Sequence, residues 1–167
     1  GAVLGQALMT AELARLFRPT GLVGPVAAAT AVSVLRGLTA AQTASAISLA
    51  VNCAAGLNQW PASGGSDMYF HAGFAARNGM AAADLAESGA FASPDIIEGD
   101  AGLFRAFARR RLERPIRLFA DGGFQILEVF HKQAPACNYA QRPSQAALAA
   151  RNQLDGDSSA VVAIHVA

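Results

Sequence analysis

The chain has 167 residues, of which 53% are hydrophobic and only 15% are charged, and its net charge is +1. This length supplies a sizeable core and fits one domain, or one domain and part of a second. The near-neutral charge does not favour binding to nucleic acid. The two cysteines form neither a metal-binding motif nor a disulfide framework, which favours a reducing, cytoplasmic setting without a bound metal.

The N-terminal third of the chain predicts three helices that are rich in small residues. The spacing of apolar residues predicts the first helix over 2–16, and Pro19 is expected to end it. A second helix is predicted over 23–36, and a third begins at a Thr39 cap and runs to about Asn58. Their small side chains let helix axes approach closely, so we expect a tight all-helical bundle.

Residues 37–66 contain no charged side chain, which suggests a membrane span at first sight. However, the run carries several Gln, Asn, Ser and Thr residues, has little Leu or Ile, and ends in a cluster of Pro and Gly. We therefore expect a helix that is buried on all sides within a helical protein, and no membrane as a partner.

The segment 64–79, GGSDMYFHAGFAARNG, places Asp67 and His71 at the start of a helix that is predicted to run to Ser88. A helix N-terminus presents free backbone N–H groups and a partial positive charge, which suit a carboxylate or a phosphate. A purely structural alternative is open, in which Asp67 caps the helix and His71 packs inside it.

Two further helical elements and a basic cluster follow. Pro94 is expected to start a short helical turn that ends at Glu98, and residues 101–111 are predicted to form a helix. For the arginines in and after this helix we expect a solvated face, with anion binding as the alternative. The cluster consists of Arg105, Arg109, Arg110, Arg111, Arg114 and Arg117.

The C-terminal part of the chain has a different pattern. Residues 116–130 lack a helical stripe, 144–152 are predicted as a helix and 159–166 as a strand. We place a helical domain at 1–125 and the start of an α+β domain at 126–167. The chain begins inside a helical pattern and ends on an apolar strand, which is typical of a piece of a longer polypeptide.

The loop before the last helix brings Lys132, Pro135 and Cys137 close together in sequence. It combines a cation, a rigid turn and a thiol. Taken alone, the loop favours a surface lysine and a small core cysteine over catalytic roles for these residues.

Five segments, in order along the chain, resemble motifs of the MmgE/PrpD family, which contains 2-methylcitrate dehydratase, cis-aconitate decarboxylase and iminodisuccinate epimerase. They are 17–21 (FRPTG), 38–43 (LTAAQT), 70–79 (FHAGFAARNG), 97–104 (IEGDAGLF) and 132–141 (KQAPACNYAQ). The resemblance implies a mainly α fold, in which an all-helical domain packs against an α+β lid that begins near the C-terminal end. It also implies an enzyme without metal or organic cofactor, a small di- or tricarboxylate substrate, and a homodimer.

The resemblance also assigns candidate site residues. Removing a proton next to a carboxylate builds up enediolate-like negative charge, so a site needs a base and fixed cations or N–H dipoles. The candidate catalytic residues are His71, Lys132 and Cys137, and Lys132 is a possible proton carrier if burial favours its neutral form. The candidate substrate-binding residues are Arg18, Thr20, Asp67, Tyr139 and Gln141.

Two departures from the family pattern leave the reaction open. Arg18 stands where dehydratase-like and decarboxylase-like members have histidine, and Met68 where decarboxylase-like members have lysine. Arginine grips a carboxylate but is no base at neutral pH. We expect a hydro-lyase similar to 2-methylcitrate dehydratase. One alternative is an epimerase that uses a Cys137 thiolate. The competing explanation of this residue is that Cys137 is buried and inert. The other alternative is a non-catalytic dimerisation or anion-binding member, which Arg18 and Met68 favour.

Overall fold

The computed structural model describes residues 1–120, 122–129, 131–154 and 157–165. The chain divides into two compact units, Gly1–Gly122 and Gly123–Ala167. The described residues are mainly helical, as predicted, and none of their helices combines the length and hydrophobicity that a membrane crossing needs. The α-helices are α1 (Ala2–Leu8), α2 (Ala11–Leu16), α3 (Pro19–Leu35), α4 (Ala40–Val51), α5 (Trp60–Ser63), α6 (Asp67–Glu87), α7 (Leu103–Ala108) and α8 (Gln141–Gln153).

The single helix predicted over 2–16 is wrong, because the backbone becomes extended between α1 and α2. Met9 has φ −74° and ψ 132°. Thr10 then caps α2, and its hydroxyl accepts a hydrogen bond from the N–H of Leu13 at 3.1 Å. Apolar periodicity continues across this break, so the spacing alone does not reveal it.

Pro19 begins a helix instead of ending one. It occupies the first turn of α3, where a missing N–H costs nothing because that group has no helical partner. The second helix therefore starts four residues before the predicted 23, and a second proline, Pro25, lies inside it.

Helix α4 begins as predicted and ends earlier. Thr39 and Gln42 form a reciprocal capping box, in which each side chain accepts from the other's backbone N–H. The helix stops at Val51 instead of Asn58, because the following loop pairs with the end of α2 and the start of α3. In that pairing the N–H of Asn58 donates to the carbonyl of Leu16 at 2.9 Å. The prediction that this helix is buried on all sides is only partly correct. Ala40 and Ala41 in its first turn are exposed, whereas no residue of its second half is.

The core of the first unit lies where α3, α4 and α6 pack against one another. Glycine makes the closest approach possible: a Cβ on Gly79 of α6 would lie 2.5 Å from the carbonyl oxygen of Pro25. A Cβ on Gly24 of α3 would lie 2.8 Å from the Cβ of Ala75. The predicted close packing of small-residue helices is thus confirmed.

Most of the larger core side chains come from outside these three helices, Leu22 of α3 being an exception. Leu4 and Leu8 of α1, with Leu103 and Phe104 of α7, are buried against them. Residues 94–98 form the expected turn, and the carbonyl of Ile96 accepts from the N–H of Leu103 at 2.8 Å.

Helix α7 is shorter than the predicted 101–111, because Arg109 adopts a left-handed conformation at φ 56°. The prediction of a solvated arginine face is wrong for Arg110, whose side chain is half-buried. Its guanidinium donates to the carbonyl of Ala7 at 2.5 Å and lies 5.1 Å from the centre of the Phe104 ring. Arg110 therefore joins α7 to α1, while Arg111 forms an exposed ion pair with Asp100 at 2.6 Å.

The second unit contains α8 and short 3₁₀ turns at Gln125–Glu128, Asn138–Ala140 and Ser158–Ala160. The predicted helix over 144–152 is present and begins three residues earlier, at Gln141. The strand predicted over 159–166 is wrong for the residues that the structure describes. Its first residues belong to a 3₁₀ turn, and residues 161–165 pair with no strand. Val166 lies outside the described residues. Assignment of this unit to an α+β lid stays a prediction.

Candidate functional site

Arg18 lies against the first turn of α6. It is the N-cap residue of α3, and its backbone N–H donates to the carbonyl of Gly56 at 2.8 Å. Its guanidinium reaches across and donates from Nη1 to the carbonyl of Met68 at 2.9 Å. The half-buried cation is therefore held one helical turn before His71.

The other two predicted residues of this region flank the same helix ends. Thr20 lies half-buried in the first turn of α3. Asp67 is exposed at the start of α6, and the N-cap position belongs to Ser66, which makes no capping hydrogen bond through its side chain. The expectation that Asp67 caps the helix is therefore wrong. Its carboxylate nevertheless lies where the partial positive charge of the helix favours an acid.

His71 is packed inside the unit, with 8% of its surface exposed. The structural alternative is correct in this respect, yet packing does not account for the ring, since its buried Nδ1 atom has no hydrogen-bond partner. A buried polar atom without a partner costs free energy, on the order of 1–3 kcal/mol. Such an atom calls for an explanation by a ligand, by water or by a role in proton transfer.

His71 lines a cavity of about 130 Å³ that lies between α3, α6 and the loop after α4. Pro25 helps to build it: because proline has no N–H, the carbonyl of Gly21 has no partner within α3. That carbonyl accepts instead from the N–H of Ala55 at 3.2 Å. A Cβ on Gly21 would lie 2.1 Å from the carbonyl oxygen of Ala55, so only glycine lets the loop close on the helix.

Three polar residues that line this cavity were not identified from the sequence. They are Cys53, Arg77 and Asn78. Asn78 follows His71 by seven residues, or two helical turns, so helical spacing carried a signal for it. Cys53 carried none, since its position depends on where α4 ends.

The remaining predicted site residues lie in the second unit. Lys132, Cys137 and Tyr139 are exposed, and Cys137 is a free thiol. The burial that the proton-carrier role of Lys132 required is therefore not observed, and the predicted burial of Cys137 is wrong, while the reactivity of its thiol stays a prediction. Gln141 holds its own loop together, because its amide donates to the carbonyl of Ala134 at 2.9 Å and accepts from the N–H of the same residue at 3.1 Å.

The two groups of predicted residues thus stand in different units. The first unit holds Arg18, Thr20, Asp67 and His71 near the N-terminal ends of α3 and α6 and joins Arg18 to α6 at Met68, but of the four only His71 lines the cavity. The second unit holds Lys132, Cys137, Tyr139 and Gln141 within ten consecutive residues. In the described ranges no cluster of three or more His, Cys, Asp or Glu side chains is arranged to hold a metal ion.

Comparison with known proteins identifies the first unit. The family model of the MmgE/PrpD N-terminal domain matches residues 1–114, which is more than half of the chain. No curated protein matches the chain. The matched range contains both helices that carry Arg18 and His71, and it ends before the loop of Lys132 and Cys137.

Proposed function

This chain belongs to the MmgE/PrpD family, and from that premise we propose that the protein is a cofactor-independent lyase of a small di- or tricarboxylate. The reaction begins with removal of a proton from the carbon next to a carboxylate. The electron pair of that C–H bond passes into an enediolate-like anion. Its return forms the alkene and expels the β-hydroxyl group, which takes up a proton and leaves as water.

One observation carries the proposal: Arg18, the N-cap residue of α3, donates to the carbonyl of Met68 in α6, one helical turn before the buried imidazole of His71, whose Nδ1 atom has no hydrogen-bond partner. Arg18 is fixed by its hydrogen bond to Met68, so its charge is in place before the substrate arrives. Preorganised charge of this kind stabilises a developing anion without reorganisation during the reaction. The resemblance to the family is the ground on which we assign a di- or tricarboxylate substrate to these two side chains.

His71 has two possible roles in this scheme. Its ring either exchanges the proton or holds a substrate carboxylate through an N–H group. Arg18 binds a carboxylate, with Thr20 as a further hydrogen-bond donor. As the family resemblance implies, the proposal adds Lys132 as a cation or proton carrier and Tyr139 as a donor.

Proton NMR in D₂O tests the reaction. The intact protein is incubated with a panel of di- and tricarboxylates, and both deuterium incorporation next to the carboxylate and alkene formation are followed. Alkene formation is the expected result. If no compound of the panel reacts, the lyase proposal is wrong, and a non-catalytic member of the family is favoured.

A pair of histidine variants locates the site. His71→Gln should lower alkene formation roughly 100-fold or more if the ring exchanges the proton, and roughly tenfold if it holds a carboxylate. His165→Gln, at an exposed position of the second unit, should leave the rate unchanged. Equal rates for both variants would mean that His71 takes no part in turnover.

An epimerase is the second candidate, and the exposed thiol of Cys137 favours it. Lys132 precedes this thiol by five residues in the same loop, so the loop combines a cation and a thiol. Deuterium exchange without alkene, lost in Cys137→Ser, is the outcome that would support this reaction over elimination.

A further inference from the structure

The cavity beside His71 has the polar lining of an anion site. Four of its lining residues carry hydrogen-bond donors or can present one: His71, Cys53, Arg77 and Asn78. No aspartate or glutamate is among its lining residues. A cation or an electron-poor ligand would find no negative partner here, whereas an anion would meet several donors.

Arg77 and Asn78 are held together in a way that leaves donors free. The guanidinium of Arg77 donates from Nε and Nη2 to Oδ1 of Asn78, at 3.3 and 3.2 Å. It also lies 5.2 Å from the centre of the Phe74 ring, which supports its plane. Because Oδ1 is occupied, the capacity that Asn78 has left is its two amide N–H donors.

The cavity has room for a small group. Its volume of about 130 Å³ is several times the roughly 10–15 Å³ that one water molecule needs. This is enough for a carboxylate with one or two carbons attached. The ring of His71 lines the cavity, whereas its Nδ1 atom is buried beyond the reach of solvent.

We infer that this cavity is the subsite for one terminal carboxylate arm of the substrate, bound by the ring of His71 and by Asn78 Nδ2, with Arg77 at its edge. The identity of the ligand as a substrate arm rests on the proposed function. His71 takes the second of its two roles, that of a donor to the carboxylate, and the base that removes the proton is then a different group.

Cys53 allows a direct test, because its exposed thiol also lines the cavity. Iodoacetate and iodoacetamide alkylate a thiolate in the same way: the sulfur attacks the CH₂ carbon, an S–C bond forms and iodide leaves. They differ only in that iodoacetate carries a carboxylate. Mass spectrometry measures the rate of each reagent at Cys53 and compares their ratio with that at Cys53 in the urea-unfolded protein.

The inference predicts that the iodoacetate-to-iodoacetamide ratio rises roughly tenfold in the folded protein, the factor expected from one hydrogen bond to a charged group. The rate of the iodoacetate reaction should saturate as the iodoacetate concentration rises, and the ratio should fall when succinate is added. A ratio equal to that of the unfolded chain would overturn the site. This comparison uses the wild-type protein and does not depend on any variant folding.

A pair of matched variants assigns the effect to the cavity. Asn78→Leu keeps the size of the side chain and removes its donors, so the ratio at Cys53 should return to the unfolded value while the iodoacetamide rate is unchanged. Asn152→Leu, in exposed α8, should have no effect. An unchanged ratio in Asn78→Leu would remove Asn78 from the site.

Protection of Cys53 from iodoacetamide distinguishes a substrate arm from a separate small anion. A substrate arm predicts that dicarboxylates protect more strongly than acetate. Equal protection by acetate, phosphate and sulfate would overturn the assignment to an arm. Absence of protection with alkene formation intact would overturn the subsite and leave the lyase, whereas protection without alkene formation would support the subsite and contradict the lyase.

Discussion

Individual side chains in this protein settle local questions that the surrounding pattern leaves open. Pro25 is the clearest case: by lacking one N–H it frees the carbonyl of Gly21, and that carbonyl fixes the loop on which Cys53 and Ala55 lie. The cavity beside His71 is therefore a consequence of one missing donor in α3. A helix without that proline would satisfy Gly21 internally and would release the loop.

Asp157 provides a test of a single carboxylate. Its Oδ1 accepts from the hydroxyl of Ser159 at 2.5 Å and from the backbone N–H of the same residue at 2.9 Å. These two hydrogen bonds, the hydroxyl first, lower the pKa of Asp157. Because the folded pKa lies below the unfolded one, this carboxylate stabilises the turn above the ordinary aspartate pKa of about 3.9. That stabilisation is lost as the pH falls through the lowered folded pKa.

A carboxyl ¹³C NMR titration checks this prediction. Ser159→Ala should raise the pKa of Asp157 part of the way to its ordinary value, since the backbone hydrogen bond remains. Ser158→Ala, in the same 3₁₀ turn, should leave it unchanged. An ordinary pKa in the wild-type protein would mean that the turn does not form in solution.

At the scale of elements, the contact between α3 and α6 depends on the absence of side chains. Gly79→Ala would place a Cβ 2.5 Å from the carbonyl oxygen of Pro25 and 2.7 Å from the backbone nitrogen of Ala29. Backbone atoms cannot rotate away, so the helices must separate. We expect a loss of about 1–3 kcal/mol in the free energy of unfolding, the usual cost of overpacking a core.

Gly73 is the matched control, because it lies in the same helix and a Cβ there would meet open space. Gly73→Ala should raise the stability by about 0.5–1 kcal/mol through helix propensity alone. Urea denaturation followed by circular dichroism measures both variants. Two changes of the same sign would contradict the account of this interface.

These elements also show what the sequence could reveal. The Thr39 cap, the extent of α6 and the close packing of small residues follow from local chemistry that is written into short segments. The end of α4 and the role of Arg110 do not, because each is decided by a partner far away in sequence: Leu16 for the loop at Asn58, and Ala7 for the guanidinium. The same contrast holds for the cavity. Asn78 follows His71 at helical spacing on one helix, so the sequence indicated it, whereas the position of Cys53 depends on where α4 ends, so no sequence pattern indicated it.

At the scale of the whole molecule, the two units differ in the core that each possesses. The first buries leucine, phenylalanine and many alanine side chains among α1, α3, α4, α6 and α7. In the second, no residue whose burial is described is fully buried. Helices gain most of their stability from packing an apolar face, and α8 lacks that support.

Hydrogen exchange should therefore separate the units. Amides of α8 should exchange through local opening of low free energy, whereas those of α3, α4 and α6 should exchange only near global unfolding. Mass spectrometry of peptides from α6 and α8 provides the comparison, and the C-terminal half of α4 is a second reference inside the first unit. Protection of α8 as strong as that of α6 would contradict this prediction, because it would require a buried apolar face that the described residues of the second unit do not supply.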